Sequence, residues 1–170
     1  MAKVYLGLGS NIDAEENLRL GIAELGARFG MLELSNVYRS AAVGFDGDDF
    51  LNLVAGLESD ASPAQLHAML MEIHGLAGRK RGESRYSPRT LDIDLLLYDD
   101  LVLDEPPIRI PRSDILKYSF VLGPLAEIAP QLRHPETGKL ITEHWAEYDK
   151  NSHPLVATGV MLGAIGSENA

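Results

Sequence analysis

The chain has 170 residues and no cysteine, which excludes disulfide scaffolds, thiol catalysis and cysteine-ligated zinc or iron–sulfur centres. Positive charge is also scarce: 15 Lys and Arg stand against 25 Asp and Glu, for a formal net charge of -10. A polyanion is drawn neither to phosphate backbones nor to anionic lipid, so no nucleic acid and no membrane surface is expected as a partner. Chemistry on phosphates would therefore need a local basic patch. No run of about 18 apolar residues is available to span a bilayer. The N-terminal MAKVYLGLGSN has a short apolar run broken by glycines and no small-residue cleavage site, so it does not read as a signal peptide. A cytoplasmic protein is expected.

With 45% hydrophobic and 24% charged residues, the chain suits one globular domain with a real core. KVYLGL (3–8) reads as a first strand. DAEENLRLGIAELGARFG follows as an amphipathic helix, with Leu18, Ile22 and Leu25 at helical spacing and Gly30 as its stop. LELSNVYRS and DFLNLVAGLES read as second and third strands. Ser62 and Pro63 open a second helix, PAQLHAMLMEIHGLAG, with serine as N-cap and proline at its first position. TLDIDLLLYDD is a fourth strand. The order predicts an α+β fold, a ferredoxin-like βαββαβ sandwich whose helices cover one face of an antiparallel sheet. Pro106, Pro107 and Pro111 predict an extended loop, and FVLGPLAEIAP a short helix ended by Pro130. A single domain over 1–153 with C-terminal additions is expected, followed by a weakly patterned tail over 154–170.

Asp92 and Asp94 interrupt the apolar fourth strand. Residues i and i+2 of a strand share a face, so the two carboxylates point together while Leu91, Ile93 and Leu95 point the other way. Neighbouring carboxylates stay ionised cheaply only around a positive charge. Magnesium, sharing its remaining positions with phosphate and water, suits the pair. A solvated strand face with alternating acids is the plainer alternative. Immediately upstream, RKRGESRYSPR (79–89) holds Arg79, Lys80, Arg81, Arg85 and Arg89 against one acid, Glu83. Alone, the segment would be a solvated basic loop; beside paired aspartates it reads as a polyphosphate clamp. With no nucleophilic Ser/His/Asp set in view, transfer between bound substrates is favoured over a covalent intermediate.

Other motifs carry less. GLGSN (7–11) lacks the third glycine of a dinucleotide fingerprint, because Ile12 stands in its place. His67 and His74 lie seven apart on the second helix and show no metal-ligand spacing. Phe50 and Asn52 put an aromatic and an amide on one strand face, where they are either core and edge or a grip on a flat heterocycle.

VYLGLGSN (4–11), VYRS (37–40), FLN (50–52), RYSPRTLDIDLL (85–96) and FVLGPLAEIAP (120–130) together resemble the hydroxymethyldihydropterin pyrophosphokinase family of folate biosynthesis. The resemblance covers residues 3 to 130 in order. It implies transfer of diphosphate, as one unit, from ATP to the hydroxymethyl oxygen of the pterin, giving AMP. It implies two magnesium ions held by Asp92 and Asp94. Ser40, Val43, Phe50, Asn52 and Phe120 would line the pterin pocket, with Phe50 and Phe120 sandwiching the ring. Arg79, Arg81 and Arg89 would meet the ATP phosphates as catalytic residues, with Arg85 and Tyr86 on a loop that seals the site. His74, Ile93, Arg112 and Ser113 would fall at the nucleotide. Some positions depart from the family pattern: Arg112 and Ser113 replace a histidine and a tyrosine or similar residue, Tyr118 a common arginine, His74 a frequent glutamate, and Ser87 a small glycine or alanine. A monomer is the family-based expectation. A divergent protein that binds pterin or nucleotide without catalysis, or acts on a related pterin, is the alternative.

Overall fold

Val4, Leu6 and Leu8 of the first strand point to one side of the sheet, and Tyr5, Gly7 and Gly9 to the other. That alternation sorts the molecule into two cores. The computed structural model describes residues 1–43, 47–77 and 91–162. Strand β1 (Ala2–Ser10) runs into helix α1 (Ala14–Phe29), which ends at Gly30, a residue at φ 83 where a side chain would be strained. The segment expected as one second strand is two short ones, β2 (Glu33–Leu34) and β3 (Tyr38–Ser40). Ser35 separates them. Its hydroxyl accepts from the Val54 amide at 2.9 Å, replacing a ladder carbonyl with a side chain.

Strand β4 (Phe50–Ser59) lies antiparallel to β1 in an unbroken register from Ala2↔Ser59 to Ser10↔Leu51. Helix α2 (Pro63–Leu76) starts as predicted: Ser62 accepts from the Gln65 amide and the Gln65 side chain accepts from the Ser62 amide, closing a capping box. Strand β5 (Asp92–Tyr98) then pairs with β1 on its other side. Residues 103–110, expected as an extended loop, form a hairpin of β6 (Leu103–Glu105) and β7 (Ile108–Ile110) turning at Pro106 and Pro107. Prolines at the turn leave the flanking amides free to pair, which is why proline content misled the reading. Helices α3 (Asp114–Lys117), α4 (Ser119–Ile128) and α5 (Ile141–Glu147) follow, then β8 (Val156–Ala157). The helix over FVLGPLAEIAP is therefore as expected; α3, α5 and β8 are additional.

The main sheet runs β5-β1-β4-β3-β8, with β2 also on β4, and every pairing is antiparallel. One core joins Val4, Leu6, Leu53 and Ile93 to Leu18, Ile22 and Leu25 of α1 and Leu66, Leu70 and Ile73 of α2. The other joins Tyr5, Val54, Leu96 and Leu97 to Val121, Leu122 and Leu125 of α4. Helices thus cover both faces: α1 and α2 one, α4 the other. The chain after α5 links the two cores. Leu155 reaches Gly123 of α4, Val156 and Ala157 pair with Arg39 and Tyr38, and Leu162 is buried among the residues of the α1 core. Among the described residues, no helix is long and apolar enough to cross a membrane.

Candidate active site

The face of the sheet under α4 turns polar toward one end. In antiparallel strands, residues directly opposite share a face. Asp92 faces Gly9, Gly9 faces Asn52, and Asn52 faces Tyr38; one step along, Asp94 faces Gly7 and Gly7 faces Val54. The register therefore puts the two carboxylates and the Asn52 amide on one surface, with bare glycine backbone between them. Gly9 is needed there. A Cβ on it would lie 3.1 Å from Asn52 Oδ1 and 3.7 Å from Phe50 Cδ1. Asn52 is buried and donates from Nδ2 to Ser40 Oγ at 2.7 Å, so amide and hydroxyl form a fixed pair. Ile93 is buried in the α1 core with Leu91, and Leu95 packs beside them, as the alternation required.

A bulge in the register between Tyr5 and Leu6 lets Leu96 and Leu97 both enter the second core. Beyond it, the outer edge of β5 is held from two directions. Arg112, just after β7, donates its backbone N–H to Leu96 O at 3.0 Å. Its Nε donates to Asp114 Oδ2 at 3.1 Å, and its Nη2 lies 3.8 Å from Asp94 Oδ1. Burial alone would lower the pKa of this guanidinium, but the carboxylates of Asp94 and Asp114 outweigh it and raise the pKa. From the other side, His74 at the end of α2 accepts the Ile93 amide hydrogen on Nε2 at 2.8 Å. His74 is 4% exposed.

Phe120 sits in the first turn of α4 and packs against the second core, its ring stacked on Tyr118 with centroids 4.9 Å apart. Phe50 is half-buried at the start of β4, opposite Ser40. Val43 is exposed and Ser113 lies on the surface ahead of α3. Arg79, Arg81, Arg85, Tyr86, Ser87 and Arg89 lie outside the described residues. Ser40, Phe50, Asn52, Asp92 and Asp94 thus come together by strand register, and Arg112 joins them through Asp94. Sequence reasoning missed the glycine floor, although the alternation of GLG with apolar residues carried the signal. It also missed Asp114, which fixes Arg112 and has no signature beyond lying two residues on.

A separate cleft of roughly 490 Å³ opens between β3, α4 and α5, lined by Tyr38, Glu127, Trp145 and Lys150 among others. It contains neither Asp92 nor Asp94. Its polar wall is already paired: Tyr38 donates to Glu127 Oε1 at 2.6 Å, and the Asn36 amide to Oε2 at 2.8 Å. Burial, then the Glu127 carboxylate, pushes the Tyr38 pKa up to about 12. Among the described residues, no group of three or more His, Asp or Glu could hold a metal. The carboxylate pair fits a hard cation that takes its other ligands from phosphate and water.

A sequence profile of the 7,8-dihydro-6-hydroxymethylpterin-pyrophosphokinase (HPPK) family matches residues 5–130. The chain belongs to this family. The 2-amino-4-hydroxy-6-hydroxymethyldihydropteridine pyrophosphokinase of Synechocystis sp. is 38% identical over 161 residues, covering 93% of this chain and 82% of that protein. The protein of the same name from Aquifex aeolicus is 35% identical over 145 residues, covering 84% of this chain and 90% of its own. The crystal structure of wild-type Plasmodium falciparum HPPK-DHPS superposes with a TM-score of 0.69 at 12% identity over 86% of this chain, a likeness of fold. This chain spans 44% of that one. The HPPK match runs from Tyr5 within β1 to just past α4 and contains Asp92, Asp94, Asn52 and Ser40; α5 and β8 lie beyond it.

Proposed function

We propose that the HPPK reaction takes place on the β5-β1-β4 face: ATP gives diphosphate to the hydroxymethyl group of 6-hydroxymethyl-7,8-dihydropterin, leaving AMP, a step of folate biosynthesis. The observation that carries this reading is the register that sets Asp92 and Asp94 across a glycine floor from the Asn52–Ser40 pair. One side offers oxygen ligands for a hard cation. The other offers a fixed amide and hydroxyl for the edge of a flat heterocycle, with Phe50 and Phe120 as its stacking partners and Val43 at the rim.

Magnesium, two ions on Asp92 and Asp94, would neutralise the β- and γ-phosphates and make the pterin hydroxyl more acidic. The chain's own part is positioning. Asn52 and Ser40 orient the pterin so that its hydroxyl points toward the carboxylates, and Arg112 lies at the same carboxylates to meet incoming phosphate. Aligned reactants and fixed charge need little help from a strong base. Arg79, Arg81 and Arg89 are assigned to the phosphates, Arg85 and Tyr86 to closure over them, and Ser113 to the border of the nucleotide; Ile93, expected there too, instead buries its side chain in the α1 core on the opposite face, and His74 reaches the site through the Ile93 amide. The strand order, antiparallel with both βαβ crossovers, supports a ferredoxin-like sandwich. We read residues 1–153 as one catalytic domain, monomeric and cytoplasmic, whose two cores the segment 155–162, expected as a weakly patterned tail, completes.

The test is to incubate the protein with ATP, magnesium and hydroxymethyldihydropterin and to resolve AMP from ADP. AMP formed only when the pterin is present is the expected result. Pterin binding without AMP would replace this reading with that of a non-catalytic binder or of a paralogue acting on a related pterin.

A further inference from the structure

We propose that His74 is a positioning residue of the transfer site, holding the Asp92-Ile93-Asp94 segment in register by accepting the Ile93 amide hydrogen. This rests on the reading of Asp92 and Asp94 as magnesium ligands. In an antiparallel ladder, successive residues turn their amides alternately toward and away from the neighbouring strand. The Ile93 amide donates to an imidazole, so it faces away from β1, off the outer edge of β5. An edge amide of this kind is ordinarily left to water, and the strand is then free to fray. Here its acceptor is a buried side chain on α2. That helix is locked at one end by the Ser62–Gln65 capping box and along its length by Leu66, Leu70 and Ile73 in the core.

The position of the bond matters as much as its existence. It falls on the one residue between the two carboxylates, while the Arg112 amide ties Leu96 further along the same edge. Magnesium requires near-ideal octahedral geometry at about 2.0–2.1 Å, so small movements of either carboxylate are costly. Orientation of this sort from outside the ligand set is a recurrent feature of metal sites. Acceptance on Nε2 requires the neutral ring with its proton on Nδ1. His74 thus touches neither phosphate nor pterin in this role, and acts through the strand.

The experiment compares wild type with His74→Leu, which keeps the bulk and removes the acceptor, and His74→Gln, which restores an oxygen acceptor. Magnesium is titrated by calorimetry in the presence of a non-hydrolysable ATP analogue, and exchange of the Ile93 amide is followed by NMR. His74→Leu should raise the magnesium midpoint about tenfold and speed Ile93 exchange, and His74→Gln should recover most of both. Wild-type values for His74→Leu, or equal losses in both variants, would overturn the proposal. Should His74→Leu not fold, His74→Gln and the wild-type Ile93 amide decide: fast exchange in the wild type overturns it, as does a failed rescue. A wild type that binds the analogue without regard to magnesium removes the carboxylate reading and this inference with it. A magnesium-dependent wild type matched by His74→Leu removes the inference alone.

Discussion

In the proposed reaction Asp94 is the residue on which most of the chemistry converges, because it shares a face with Asp92, stands opposite Gly7 and lies 3.8 Å from the Arg112 guanidinium. Replacing it with asparagine keeps the shape and removes the charge, at little cost to the part-exposed pair with Arg112 at 3.8 Å. Turnover of Asp94→Asn should fall by roughly a thousandfold or more, the several kcal/mol that metal-assisted charge stabilisation supplies. Its melting temperature should stay within about 2 °C of wild type, since the side chain is partly exposed and like-charge repulsion with Asp92 is relieved. Calorimetric melting beside the AMP assay separates the two effects. The carboxylate pair was legible in the sequence because period two is rigid: once 91–98 is a strand, its faces are fixed. Arg112 and His74 were not legible in the same way. Both read as nucleotide contacts, and the structure shows each bonded to the backbone of β5, a use of side chain and amide that residue type does not announce.

At the scale of elements, helix α2 carries His74 at its last turn and begins at Ser62. Ser62→Ala removes an N-cap and should cost about 1 kcal/mol, a fall of roughly 2–4 °C in melting temperature for a chain of this size. A melting curve unchanged by the substitution would mean that the cap adds nothing beyond the core contacts. This start was readable because the serine, the proline and the glutamine each have a local mechanism. The β6-β7 hairpin and β8 were not. Their strands are three, three and two residues long, too short to show a period, and β8 exists only because β3 offers it an edge.

For the whole molecule, acid is the relevant stress. His134 is 3% exposed and its Nδ1 accepts from the Glu136 and Thr137 amides at 3.2 and 3.3 Å. Burial and then the nearby His144 push its pKa below 6.5, with Arg109 acting the same way and Glu136 opposing. The unfolded chain therefore takes up this proton at a higher pH than the folded one. The stabilisation is complete above pH 6.5 and is lost as the pH falls toward the depressed folded value. Denaturant midpoints should decline over that window in the wild type and decline less steeply in His134→Gln. Equal slopes would place the acid sensitivity elsewhere.

The strap from Leu155 to Leu162 closes both cores at once: Leu155 against α4, β8 beside β3, and Leu162 beneath α1, with Arg19 donating to the Met161 carbonyl at 3.2 Å. A ribosome delivers these residues after every other described strand and helix. Until residue 162 has emerged, the nascent chain holds a sheet whose Tyr38–Ser40 edge is bare and a core with an unfilled place, the two features most open to wrong pairing. The strands that carry Asn52 and Asp94 are made early, yet the fold around them can be finished only once this strap, about sixty residues further on, has emerged as well.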